Sequence, residues 1–149
     1  MNISEHITYA EATKSQTATR LGIKNEPNED QLESMKLWAK MIFEPVREYC
    51  GHPLAITSFF RALQLNRAIG STDGSQHPKG EAGDIDADVF GGKSNSEIFL
   101  FVREVLDYDQ LIWEFGDDIT PNWVHVSYKK EGNRNQVLRA LSNGKYIKI

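Results

Sequence analysis

Cysteine is nearly missing from this 149-residue chain: Cys50 stands alone, so no internal disulfide can staple the fold. Stability must then come from an apolar core and from any metal the chain binds. No long hydrophobic run is present either, and nothing approaches the ~20 apolar residues that span a bilayer. The first residues, Met1 to Thr19, carry Glu5, Glu11 and Lys14 in place of an apolar signal-type core. No membrane partner is expected, and export would require another factor. Basic charge is in deficit, with 17 Lys and Arg against 21 Asp and Glu, a net charge of −4 and a pI near 5.6. That balance argues against nucleic acid held on a basic surface. Repeats, low-complexity segments and linker-like stretches are absent too. What is present is 40% hydrophobic and 26% charged residues, the composition of a folded globular chain. One domain over residues 1–149 is predicted, acting as a monomer.

Thr8 and Glu11 have the spacing of a capping box ahead of a helix from Tyr9 to about Arg20. Asn28 and Gln31 repeat that spacing before Leu32, Met35, Ala39, Ile42, Phe43, Val46 and Tyr49, which recur every three or four residues up to Gly51. Pro45 is expected to kink this helix. Alternation over Leu54, Ile56, Ser58 and Phe60 predicts a strand ending at Arg61, followed by a short helix over Ala62 to Ile69. Residues 70–83, with four glycines and a proline, predict an irregular loop, and a strand over Asp84 to Phe90 follows. Ser94 to Ser96 can cap a helix burying Ile98, Phe99, Phe101, Val102, Val105 and Leu106. Strands are predicted over Gln110 to Gly116 and Asn122 to Tyr128, and Val137 to Leu141 pairs with Tyr146 to Ile149. Helices first and short strands later predict an α+β fold: an antiparallel β-sheet with flanking helices.

The loop entering the strand at Asp84 carries the chemistry. His77 and Asp84, seven residues apart across glycines, can turn back onto one cation, and His125 in Trp123-Val124-His125 offers a third donor from a later strand. Imidazole nitrogen and carboxylate oxygen are ligands for zinc, and a catalytic zinc uses three protein ligands and keeps an open position.

The pattern Ser75-x-His77-x-x-Gly80-x-Ala82-x-Asp84, followed by Trp123-x-His125, resembles the zinc D-Ala-D-Ala metallopeptidases of the superfamily shared with lysostaphin and the Hedgehog signalling domain. Thr57-Ser58-Phe59-Phe60-Arg61 with Asn66 is similar to that family's strand ending in an arginine. From about Asn25 to Tyr128 the order and spacing agree with its small, phage-type peptidoglycan-cleaving subgroup. The resemblance implies a Hedgehog/DD-peptidase-like fold, zinc on His77, Asp84 and His125, and Arg61 holding substrate or its oxyanion. It also gives Ser75 a hydrogen bond to substrate or to its own loop, which sets Ser/His hydrolysis aside.

The general base is less direct, because some relatives carry an acid three positions before the last histidine and this chain has Asn122 there. Strand parity offers Glu114. With Leu111, Trp113 and Phe115 facing the core from one strand and Val124, Val126 and Tyr128 from the next, Glu114 and His125 share the other face, opposite or diagonal. A carboxylate there can move a proton between water and a leaving amine. Asp117 and Asp118 are the reserve candidates. Asp86 reads either as an acid orienting a ligand or as a solvated carboxylate, and Trp123 as a cover for the zinc or a wall of the groove. Arg61 also has a plainer reading, an ion pair to the acidic loop. His6 and His52 read as surface histidines, Trp38 and Trp113 as core, and Cys50 as a small buried residue.

The expected function is zinc-dependent hydrolysis of a peptide bond in peptidoglycan stem peptides, as a D-Ala-D-Ala carboxypeptidase or an endolysin-like endopeptidase. The alternative is a non-catalytic zinc-stabilised binding or virion structural module of the same fold. The missing signal-type segment fits a lysis protein made in a host cytoplasm and released to the wall by a separate factor.

Overall fold

The computed structural model describes all 149 residues. A short antiparallel pair, β1 (Asn2–Ser4) and β2 (Ile7–Thr8), opens the chain and has no counterpart in the sequence reading. Thr8 does cap the helix that follows, its hydroxyl accepting from the Glu11 N–H. That helix stops early, however: the predicted Tyr9 to Arg20 helix is two, α1 (Tyr9–Thr13) and α2 (Gln16–Leu21). Lys14 and Ser15 are extended, and the Ser15 hydroxyl accepts from the Ala18 N–H. A serine side chain that satisfies free N–H groups in this way favours restarting a helix over continuing one.

The long predicted helix begins as expected, with a complete capping box between Asn28 and Gln31 at the head of α3 (Glu29–Trp38). It ends as expected at Gly51, whose left-handed φ of 60° closes α4 (Glu44–Cys50). Between them, Ala39–Phe43 forms a π-helical turn. This turn takes the place of the kink expected at Pro45. Pro45 has no N–H and its ring would crowd a preceding carbonyl, and widening the helix just upstream puts it in the first turn of α4, where neither defect matters.

Six strands make the main sheet: β3 (Ala55–Ser58), β4 (Ala82–Asp86), β5 (Gln110–Glu114), β6 (Trp123–Ser127), β7 (Gln136–Ala140) and β8 (Tyr146–Lys148), in the order β3-β4-β6-β5-β7-β8. Neighbours are antiparallel except β5 and β7, so the sheet is mostly antiparallel with one parallel pair. Two helices complete the chain, α5 (Leu63–Ala68) and α6 (Asn95–Val105). The strand predicted over Asp84 to Phe90 ends at Asp86, because the Asp86 carboxylate accepts from the Asp88 N–H and turns the chain into a 3-10 helix, Ala87–Val89.

One face of the sheet packs on the helices. Ile85, Leu111, Val124 and Val126 meet Met35, Trp38, Ile42, Ile98, Phe99 and Val102 in a single buried cluster. Val105, predicted to join it, is 64% exposed, since the last turn of α6 runs past the sheet. Trp38 is wholly buried, and its indole N–H donates to the Val126 carbonyl at 2.9 Å. Burying a ring of this size removes about 200 Å² from water, worth roughly 5 kcal/mol before ordering entropy is subtracted. The ring lies against Gly83, where a Cβ would come within 2.5 Å of it. Only glycine lets the helix layer approach the strand that closely. The opposite face of the sheet bears an open groove among buried side chains such as Asp84, Ile112 and Glu114.

Candidate metal centre

Pleat parity places alternate residues of β4, β5 and β6 on that grooved face. The register pairs Asp84 with His125 and His125 with Ile112, so the aspartate and the histidine are direct cross-strand neighbours. His77 arrives from the loop. It opens a 3-10 turn, His77–Lys79, closed by Gly80 at φ 73°, and a Cβ at Gly80 would strike the Gln31 carbonyl at 2.4 Å. The chain can therefore reverse tightly under α3 and deliver His77, 2% exposed, beside Asp84.

His77 Nδ1 is 2.7 Å from the Phe59 carbonyl oxygen. A carbonyl only accepts, so Nδ1 carries the proton and Nε2 keeps its lone pair. That Nε2 lies 3.5 Å from Asp84 Oδ1, and His125 Nδ1 lies 3.0 Å from the same oxygen. The three donor atoms are all within 4.8 Å of one another. Burial alone would raise the Asp84 pKa, but the fields and hydrogen bonds of His77 and His125 outweigh it and hold the carboxyl well below the usual carboxylate range. Two imidazoles and one anionic carboxylate, with the first imidazole oriented by a backbone carbonyl, fit the donor set of a catalytic zinc ion.

Glu114 stands opposite Trp123 and therefore diagonal to His125, one of the two placements expected from parity. It is 6% exposed, and its carboxyl is pushed up to about 7. Burial is the main cause; His125 opposes it, Asp84 adds to it and Arg61 opposes it in turn. Arg61 is half-buried, its Nε donating to Asn66 at 3.2 Å and its Nη1 to Ser58 at 3.3 Å. Burial draws the guanidinium below its ordinary pKa, against the pull of Asp84 and Glu114. No ion pair ties it to the acidic loop. The Ser75 hydroxyl accepts from the His77 N–H at 3.3 Å, bracing the loop.

Other expectations fare differently. Phe115, assigned to the core face, has φ 55°, which breaks the alternation and turns its ring edge-on to Trp123, with centroids 5.4 Å apart, at the groove. Asp86 contacts Asn95 and Asp88, away from the ligands. Asp117 caps its own loop through Ile119 and Thr120, and Asp118 pairs with Arg139 in solvent. His6 binds Glu44, and His52 meets the Pro53 carbonyl. The three ligand candidates, Arg61, Ser75, Glu114 and Trp123 all line one open groove of about 660 Å³.

Gln76 and Asp109 escaped the sequence reading. The Gln76 amide donates to the buried Asp109 at 3.1 Å, and Asp109 also accepts from Arg134 Nε and Nη2 at 2.9 and 2.8 Å. This network ties the residue before His77 to the base of β5. The only sequence signal was the adjacency of Gln76 to a ligand.

A search of curated proteins finds no match to the chain. A family model described as Peptidase M15 matches residues 5–127, a span that contains Arg61, the loop of His77, Asp84, Glu114 and His125. The chain therefore belongs to the Peptidase M15 family, and by that membership it is a peptidase.

Proposed function

We propose that the chain is a zinc-dependent peptidase that hydrolyses a peptide bond in the stem peptides of bacterial peptidoglycan. The observation that carries this reading is Glu114: a buried carboxylate with its pKa near 7, one diagonal step from His125, at the wall of the groove that holds the ligand trio. A zinc-stabilised binding module needs no such group, whereas a hydrolase does. Zinc bound to His77, Asp84 and His125 would supply Lewis acidity for the scissile carbonyl and lower the pKa of water in its open position.

The chain's own residues divide the remaining work. His77 holds its ring in place through the Phe59 carbonyl, which leaves Nε2 turned toward Asp84. Glu114, buried at the groove wall, takes a proton from the attacking water and returns it to the leaving amine, the two halves of general acid–base catalysis. Arg61, fixed by Asn66 and Ser58, presents its remaining guanidinium N–H groups to the oxyanion or to a substrate carboxylate. No covalent acyl intermediate is expected, since no side chain is placed as a nucleophile.

The test is to incubate purified peptidoglycan with the protein, with and without a chelator, and to identify released fragments by mass. Chelator-sensitive cleavage of a stem-peptide bond is expected, and Glu114→Gln should bind zinc normally while losing about 10²-fold or more in kcat. Absence of any chelator-sensitive product would sink the proposal, as would full activity in Glu114→Gln. The fragment masses also tell terminal D-Ala release from internal cleavage.

A further inference from the structure

The family match ends at Ser127, yet the sheet does not. The hairpin of β7 and β8, residues 136–148, continues the grooved face beyond β5. Two rows of side chains cross the sheet in register. One runs Asp84, His125, Ile112, Leu138. The other runs Trp123, Glu114, Ala140, Tyr146. Leu138 and Tyr146 line the same groove as the ligands. Ala140, whose side chain is one buried methyl, separates Glu114 from Tyr146, which lines the groove and is 57% exposed. The phenol's pKa is raised by burial and then by the charges of Glu114 and Asp84, which places it within their field.

A direction follows from the two rows. The ligand trio lies on one side of Glu114, and Ala140 and Tyr146 lie on the other. If Glu114 returns the proton to the leaving amine, the residue bearing that amine lies on the Tyr146 side. We infer that Tyr146 and Leu138 form an apolar wall that selects the residue on the amine side of the scissile bond, favouring one with an aliphatic side chain. This rests on the peptidase reading above. The wall is built by a segment outside the family match, and it determines specificity without touching the ligands.

The test compares two soluble stem peptides that differ only in carrying alanine or glycine on the amine side of the cleaved bond. One methyl group in an apolar pocket is worth about tenfold in kcat/KM, and the parent protein should favour alanine by that factor. Tyr146→Ala should bring the ratio to within about threefold, with Tm and zinc content unchanged because the side chain is largely exposed. Tyr146→Phe, which keeps the ring, should retain the preference; its loss there overturns an apolar wall. A second arm needs no turnover: in the Glu114→Gln background, adding Tyr146→Ala should weaken binding of the alanyl peptide about tenfold. An unchanged alanine preference in Tyr146→Ala, or equal binding with and without that substitution, overturns the wall. A parent protein that cleaves neither peptide overturns the peptidase reading instead, while the binding arm still decides the wall.

Discussion

Glu114 holds its proton more tightly in the folded chain than in water, with a pKa of about 7 against an ordinary 4.5. The sign of the linkage follows. Stabilisation from the protonated form is fully present below pH 4.5 and is lost as the pH rises through 7, about 3 kcal/mol in all. In chelator-treated protein, Glu114→Gln should therefore gain Tm over the parent between pH 5 and 8, and a difference that stays flat would mean the carboxyl titrates as it does in solvent. Gly83 offers a second residue-scale experiment. Its missing side chain is where the Trp38 ring lies, and that ring is pinned by its bond to Val126. It cannot move aside cheaply. Gly83→Ala should cost about 1–3 kcal/mol by overpacking and weaken zinc binding through its neighbour Asp84, as read by thermal melts and by competition with a chromogenic chelator.

Asp109 lies just ahead of β5, fully buried, and gathers the loop before His77 and the segment before β7 onto one carboxylate. Arg134→Ala would leave that anion with only the Gln76 amide and the residue-134 backbone N–H, a loss of about 1–2 kcal/mol given the half-exposed guanidinium, whereas Arg134→Lys should recover only part because a single ammonium cannot reproduce the two-pronged contact. Denaturant melts distinguish the two. Elements built from local rules were the legible ones: the Asn28 capping box, the serine cap at Ser94, the Gly51 stop, and the alternation that set His125 and Glu114 on one face. What escaped depended on partners far along the chain or on rare backbone states. The π turn before Pro45 reconciles a proline with a helix that packing requires to continue. The parallel pairing of β5 with β7 is a tertiary choice that alternation cannot express. Phe115 turns toward the groove through a left-handed φ that nothing in its side chain advertises. The meeting of His77, Asp84 and His125 was legible because metal chemistry restricts which residue types suit such a site. The Gln76 and Asp109 support was not, since amides and carboxylates occur everywhere.

At the scale of the molecule, a cation at this site joins a loop to two strands of one sheet, so its binding energy adds to folding energy. With free zinc at a hundredfold its Kd, the folded state should gain about 2.7 kcal/mol, a Tm rise of roughly 5–10 °C for a chain of this length. His77→Ala should remove most of that rise, and an equal rise in the variant would place the ion elsewhere, for instance at the group of Glu5, His6 and half-buried Glu44. No helix is long and apolar enough to cross a membrane.

The pairing of β4 with β6 has a consequence in time as well. Asp84 and His125 meet only when residues about forty positions apart have found their register, and such distant pairings form slowly because the loop between them must close first. The nascent chain should thus capture metal late. In stopped-flow refolding with zinc present, displacement of a metal indicator should trail hairpin-scale events and coincide with the burial of Trp38, the residue that seals the back of the same two strands.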